Sequence, residues 1–158
     1  MTNSIPTASK LSFSAIFPKG NPFLESLGVE FVRAGDGSSE LALTLRPEHM
    51  NSWHVTHGGI SMTLIDVAMA LAGRTLSPDM PSCVTVDMST QFLQPGGTPG
   101  DRLVVLGKSF HRSSTMCFCE AEVWNGKKLV ARGTGTFKYL KRLESGGRLS
   151  GRSRGDDA

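Results

Sequence analysis

An aspartate inside an apolar stretch is the first residue of this sequence whose type and position suggest chemistry. Asp66 lies between Ile65 and Val67 and is the only charged residue from position 58 to position 73. An ionised carboxylate in apolar surroundings is costly, so a sequence keeps one more readily where the carboxylate has a functional task. The alternative is an ordinary aspartate on the solvent-facing side of an amphipathic helix. The pattern alone leaves both interpretations open.

Two glycines just before this aspartate suggest a second kind of chemistry. Gly58 and Gly59 follow His57 at the predicted start of a helix. The first N–H groups of a helix lack partners within it, the helix dipole favours negative charge there, and glycine lets a substrate carbonyl come close. These are the physical requirements of an oxyanion hole. A flexible helix start without a catalytic task also accounts for both glycines.

The polar residues of the preceding loop are less informative. His57 could orient the loop or polarise a substrate, and a structural hydrogen bond is an equal alternative. The Asn51 amide could hold a water or a carbonyl oxygen, although an asparagine in a loop usually makes a turn. The four histidines have no matching carboxylate spacing, so we predict no metal site.

Charge and cysteine content narrow the class of protein. The net charge is +3, and residues 141–158 hold five basic residues against three acidic ones, so the rest of the chain is nearly neutral. Such a domain gives no reason to expect a nucleic-acid partner. Cys83, Cys117 and Cys119 have no metal-binding spacing, and we interpret them as small core residues in a reducing, cytoplasmic compartment. The sequence has no signal-like start and no apolar run long enough to span a membrane, so we expect neither secretion nor association with a membrane.

The elements that must position these residues follow from periodicity and turn signals. We predict a short helix after Asn21, strands over 29–33 and 40–45, and one long helix from position 57 to about 76. Four strands follow, over 84–92, 103–110, 115–124 and 129–139. Strands that follow one another through hairpins imply an antiparallel sheet, with the apolar helix buried against its face.

The ends of the chain are predicted to lie outside this domain. Residues 1–19 are polar with scattered apolar positions, so we expect a flexible or loosely draped segment. Residues 141–158 are rich in Gly, Ser and Arg, which predicts disorder. The folded domain is expected over 20–140.

The spacing of the candidate residues resembles a known family. The pattern N-x(5)-H-G-G-x(6)-[DE] is that of the PaaI-like hotdog thioesterases, within the 4-hydroxybenzoyl-CoA thioesterase-like superfamily. Each of its elements is present, as Asn51, His57, Gly58, Gly59 and Asp66. The segments 84–96 and 131–137 also look like the family's later strands.

The resemblance implies a fold, an activity and an assembly. The fold is α+β, a curved antiparallel sheet wrapped around one long central helix, known as the hotdog fold. The activity is hydrolysis of an acyl-CoA thioester to acid and CoA, without a metal or cofactor. Two copies join edge to edge into a homodimer with interfacial active sites, and dimers often pair into tetramers.

The resemblance also implies residue roles. Asn51, His57 and Gly58 come from one subunit, with the Gly58 N–H polarising the thioester carbonyl. Asp66 of the other subunit acts as general base on water or as nucleophile, and Thr85 matches a position that helps to place the water.

One stretch departs from the family and another gives weaker matches. Many relatives carry glycine shortly before the histidine, whereas this chain has the bulkier residues 53–56. The segment 110–114 lies where relatives contact CoA, which suggests Arg112, Ser113 and Ser114 as binding residues. For Arg112, a solvated loop arginine is an equal alternative.

Two other functions fit a hotdog fold. A hydratase or dehydratase usually shows a loop histidine with a helical glutamate, or its own Asp/His motif, and neither is present. A non-catalytic acyl-CoA-binding regulator usually adds a DNA-binding region, and the first twenty residues are too few for a helix-turn-helix.

Overall fold

The computed structural model describes residues 13–77, 79 and 82–140. Within that part, three helices and six strands follow one another: α1 (Phe13–Ile16), α2 (Pro22–Leu27), β1 (Glu30–Gly35), β2 (Ser38–Thr44), α3 (Gly58–Arg74), β3 (Cys83–Phe92), β4 (Arg102–Arg112), β5 (Met116–Asn125) and β6 (Lys128–Tyr139). A 3-10 turn, Pro47–His49, lies between β2 and α3. From α2 onward the predicted order of elements is confirmed, with boundaries shifted by a few residues at most.

Helix α2 begins and ends as its sequence predicts. The Asn21 side chain accepts a hydrogen bond from the Leu24 N–H at 3.2 Å, and Pro22 occupies the first turn. Gly28 has a φ of 77°, a left-handed conformation that glycine adopts without strain, and its N–H donates to the carbonyls of Leu24 and Glu25. This end geometry turns the chain directly into β1.

The described strands form one antiparallel sheet in the order β1-β2-β4-β5-β6-β3. Strand β3 pairs with β6 and β4 pairs with β2, so β3 and β4 are not hairpin neighbours. The expectation of successive hairpins is therefore wrong for this pair. Residues 93–101 pass β6 and β5 and lead to β4 in the interior of the sheet, instead of forming a tight turn. Strand β3 consequently lies at an edge.

Helix α3 packs on one face of the sheet, as expected for an α+β fold. Leu64, Ile65, Ala68 and Met69 are completely buried. One close approach is at Gly107 of β4, where a Cβ atom would lie 2.5 Å from the Ala68 carbonyl oxygen. That carbonyl also accepts a 2.7 Å hydrogen bond from the Ser39 hydroxyl. These contacts fix the distance of α3 from the sheet and the direction in which Asp66 points.

The segment before α2 differs from its prediction. Residues 13–16 form the short helix α1, and Ile16 is only 5% exposed. The rings of Phe13 and Phe17 lie 5.2 and 5.6 Å from that of Phe31. The expectation of a flexible or loosely draped segment over 1–19 therefore needs correction here, because three aromatic rings anchor residues 13–17 to β1. Residues 1–12 and the predicted tail, 141–158, lie outside the described residues.

No helix in the described part of the chain is long and apolar enough to cross a bilayer.

Candidate active site

Asp66 projects from the middle of α3 toward the start of β3. The Thr85 hydroxyl donates a 2.6 Å hydrogen bond to Asp66 Oδ1. Because the two residues come from a helix and a strand nineteen positions apart in the chain, this contact exists only in the folded protein. It orients the carboxylate and leaves Oδ2 without a protein partner among the described residues.

A cleft of about 850 Å³ opens beside this carboxylate. Its walls are mainly apolar and come from α3, from the start of β3, and from the segment that joins α1 to α2. The lining residues include Ile16, Phe17, Leu24, Asp66, Val67, Leu71, Arg74, Cys83 and Thr85. Such a cleft can hold an apolar group next to a carboxylate.

Cys83 is a half-buried part of this wall. Burial raises the pKa of its thiol to about 11, with a further contribution from Cys117. The thiol is therefore protonated near neutral pH and is a poor nucleophile. All three cysteines are free, and Cys117 and Cys119 are buried, as expected for core residues.

The start of α3 presents one unused backbone donor. The His57 side chain caps the helix, and its Nδ1 accepts a 3.0 Å hydrogen bond from the Gly59 N–H. The Ile60 N–H donates to the His57 carbonyl. No acceptor for the Gly58 N–H lies within the described residues. Of the two glycines, Gly58 is therefore the one whose N–H can receive a substrate oxygen.

Asn51 shapes the loop that precedes this helix. Its Oδ1 accepts hydrogen bonds from the N–H groups of Trp53, at 2.9 Å, and Val55, at 3.3 Å. This is the turn-making alternative for Asn51, and it leaves only the amide NH₂ for a substrate or a water. The same loop holds Trp53 84% exposed and gives His54 a φ of 58°.

A buried histidine supports this loop from below. His49 is 1% exposed, and its Nδ1 accepts a hydrogen bond from the Arg46 N–H at 3.1 Å. The His49 carbonyl accepts from the His57 N–H at 2.9 Å. Burial, followed by the charge of Arg46, holds the pKa of His49 below its usual 6.5. A neutral His49 therefore fixes the residue that precedes Gly58.

The predicted site residues fall into two groups within one chain. Asp66 and Thr85 meet at the cleft, whereas Asn51, His57, Gly58 and Gly59 lie at the start of α3. Eight residues of α-helix between Gly58 and Asp66 span roughly 12 Å. A reacting carbonyl must lie about 3 Å from both its oxyanion donor and its nucleophile. The two groups of one chain cannot act on the same carbonyl.

The third predicted group lies on the turn between β4 and β5. Arg112 Nη1 donates to the Leu76 carbonyl at 2.8 Å, which ties this turn to the end of α3. The Ser113 hydroxyl oxygen accepts from the N–H groups of Thr115 and Met116 and so builds the turn. Ser114 is exposed. No contact joins this group to Asp66 or Gly58 in the described part of the chain.

Two residues near the site were missed by the sequence reasoning. The Phe92 ring lies beside Gly58, 3.3 Å from where a Cβ would stand, and no local pattern predicts that contact. Arg74 lines the cleft, and it is the only lysine or arginine between Arg46 and Arg102. This isolation could have identified Arg74 as a candidate site residue from the sequence. Among the described residues no His, Cys, Asp or Glu cluster could hold a metal ion.

Comparison with known proteins places this fold and motif in a family. The family model described as the thioesterase superfamily matches residues 54–131. A protein of Pseudomonas aeruginosa named as a candidate esterase is 32% identical over 79% of this chain and 92% of its own length. Human acyl-coenzyme A thioesterase 13 is 28% identical over 77% of this chain and 87% of its length. The Escherichia coli PaaI protein from the phenylacetic acid degradation operon has a TM-score of 0.74 at 22% identity, covering 82% and 91% of the two chains, which shows a shared fold.

The chain belongs to the thioesterase superfamily and has its hotdog fold. It is accordingly an enzyme of the class that hydrolyses thioesters. The resemblance noted in the sequence is thereby confirmed at the level of family, fold and enzyme class.

Proposed function

We propose that this protein hydrolyses acyl-CoA thioesters to the free acid and CoA, at active sites completed by a second copy of the chain. The name of the human relative, acyl-coenzyme A thioesterase 13, supports CoA as the thiol. The observation that carries the proposal is the separation of the two groups of site residues along α3, one holding the Asp66 carboxylate and the other the free Gly58 N–H.

The edge strand β3 supports a particular way of joining two copies. Its Val86 is 56% exposed and Phe92 54%, on a strand that lacks a neighbour on one side among the described residues. An unpaired edge strand of ten residues that exposes apolar side chains is a template for pairing with another strand. Antiparallel pairing of β3 with β3 of a second copy would cover this edge and extend the sheet through the dimer.

That pairing would also bring the two halves of the site together. The start of β3 is tied to Asp66 through Thr85, and its end lies at Gly58 through Phe92. In an isologous pair, the start of one strand lies opposite the end of the other. With the two-fold axis between Met88 and Ser89, Thr85 lies opposite Phe92 of the second copy. Asp66 of one chain then faces Gly58 of the other.

The chemistry follows from these groups. The thioester carbonyl oxygen accepts a hydrogen bond from the Gly58 N–H at the positive end of α3. This bond stabilises the negative charge of the tetrahedral intermediate. Asp66 takes a proton from a water whose oxygen attacks the carbonyl carbon, with the Thr85 hydroxyl holding the carboxylate in place. When the intermediate collapses, the C–S bond breaks and the departing CoA thiolate takes up a proton. No cofactor enters this scheme.

Direct attack by Asp66 is the second route to the same products. It forms an acyl-aspartyl anhydride and expels the thiolate, and water then cleaves the anhydride. A single turnover in heavy-oxygen water, followed by mass spectrometry of the peptide containing Asp66, tests for this second route. Label in Asp66 requires an anhydride that water cleaves at the aspartyl carbon, whereas label in the released acid alone fits both routes.

Thiol release from a panel of acyl-CoAs tests the function. Wild-type protein is expected to hydrolyse at least one short, medium or aromatic acyl-CoA. Asp66→Asn, which keeps the shape of the side chain, should lose on the order of a hundredfold to ten-thousandfold in kcat. Asp36→Asn, at an exposed turn, is the matched control and should keep full activity. Full activity of Asp66→Asn, or hydration of an unsaturated acyl-CoA without thiol release, would refute the proposal.

A further inference from the structure

The cleft beside Asp66 has a second charged end. It runs along α3 from Asp66 to Arg74, the last residue of the helix, over roughly 12 Å of helix axis. Much of its lining is apolar, formed by Ile16, Phe17, Leu24, Val67, Ala70 and Leu71. An acyl group bound in this cleft with its thioester at Asp66 therefore points its far end toward a guanidinium.

Arg74 has no partner of its own in the described structure. Its Nε is buried and has no hydrogen-bond acceptor. The ion pairs between described residues join Arg33 to Glu40, Arg46 to Glu48, and Arg102 to Glu30, so none includes Arg74. A buried polar group without a partner is costly, and a cationic one more so.

The charge balance of the cleft favours an anion. Its lining includes two cationic residues, Lys19 and Arg74, and Asp66 is its only acidic residue among the described residues. Asp66 is already engaged by the Thr85 hydroxyl at the opposite end. An anionic group at the Arg74 end would satisfy the guanidinium without approaching the Asp66 carboxylate.

We propose that the cleft takes an acyl group carrying a carboxylate at its far end, the monothioester of a dicarboxylic acid, and that Arg74 receives this carboxylate. A planar guanidinium matches a carboxylate through paired N–H···O bonds, whereas a terminal methyl group would leave Arg74 unpartnered. This inference rests on the proposed function for the reacting end and adds the substrate class. Arg74 is then a specificity-determining residue that does not touch the reacting atoms.

Matched substrates that differ only at the far end of the acyl group give the test. Adipoyl-CoA and hexanoyl-CoA share the CoA and the length of the carbon chain. Wild-type kcat/KM should favour adipoyl-CoA on the order of tenfold to a hundredfold. Arg74→Met should abolish or invert that preference by slowing adipoyl-CoA alone, and Arg74→Lys should keep part of it. Arg33→Met, at an exposed cation on β1, should leave the preference intact.

The same pair of substrates distinguishes an arginine that binds the far carboxylate from one that serves CoA or the fold. An equal loss for both substrates in Arg74→Met would assign the guanidinium to CoA or the fold and would overturn the inference. So would a wild-type preference for hexanoyl-CoA. Binding to Asp66→Asn, measured by calorimetry, gives a second readout without turnover. Preferential binding of adipoyl-CoA without hydrolysis in the wild type would refute the proposed function and leave this inference standing.

Discussion

The Thr85 hydroxyl donates a 2.6 Å hydrogen bond to the Asp66 carboxylate, and this contact joins the edge strand of the sheet to the middle of the central helix. Since β3 is also the proposed dimer edge, one hydrogen bond links the orientation of the candidate catalytic carboxylate to the strand that would bring in the second copy.

Removal of the Thr85 hydroxyl is expected to lower kcat more than it raises KM. Thr85→Val keeps the shape of the side chain but leaves Asp66 without its orienting donor. A hydrogen bond to a charged group contributes about 1.5–3 kcal/mol, which corresponds to roughly tenfold or more in rate. Steady-state hydrolysis of the best acyl-CoA measures the effect. Thr85→Ser, which restores a hydroxyl, should recover most of the rate; equal losses in both variants would contradict the role.

The Gly58 N–H can be removed without breaking the helix. Gly58 is the first residue of α3, a position that proline tolerates because no helical hydrogen bond needs its N–H. His57 before it is extended, with ψ of 136°, which suits a following proline. Gly58→Pro should lose on the order of a hundredfold to a thousandfold in kcat, the effect of deleting one oxyanion donor.

Gly58→Ala is the control for that substitution. It places a Cβ against Phe92 as proline does but keeps the N–H. A modest loss in the alanine variant with a large loss in the proline variant assigns the effect to the N–H. Similar losses in both would assign it to crowding of Phe92.

Mixed dimers test whether the active site is shared. Asp66→Asn and Gly58→Pro chains, co-expressed with different tags and purified through both, form heterodimers. If each site combines Asp66 of one chain with Gly58 of the other, one of the two sites is intact and roughly half of wild-type activity returns. If each chain holds a complete site, the heterodimer has none, and activity stays at the level of the single variants.

Acid is expected to destabilise the protein through His49. Because the folded-state pKa of His49 lies below 6.5, the unfolded chain binds its proton more readily. The stability that neutral His49 contributes is present above pH 6.5 and falls as the pH drops through and below that value. Melting temperatures at pH 8 and pH 5 measure the loss.

The matched variant keeps the acceptor and removes the titration. His49→Asn can still accept from the Arg46 N–H, and its melting temperature should fall less between the two pH values than that of the wild type. His54→Asn, at an exposed residue with positive φ, should behave like the wild type. An unchanged pH dependence in His49→Asn would show that other groups cause the acid loss.

The sequence by itself determined the elements and the half-sites. Three local patterns depend on residues close in the chain, and the structure forms the elements that they predict. They are the apolar residues Leu41 and Leu43 at every second position, the helical spacing of Leu64 and Leu71, and the helix caps at Asn21 and Gly28. The motif spacing likewise fixes which residues stand at the start and in the middle of α3, because a helix has a set rise per residue.

Only the tertiary structure decided what these elements meet. Four features join residues far apart in the chain. They are the position of β3 beside β6, the contact of Thr85 with Asp66, the packing of residues 13–17 on β1, and the place of Arg74 in the lining of the cleft. The capture of the Gly59 N–H by His57, although local, depended on a side-chain orientation that spacing does not give. Periodicity says which face of an element is apolar, but not which of several apolar faces will cover it. That choice is made by the packing of the whole domain, and here it turned an isolated aspartate into one end of a cleft with an arginine at the other.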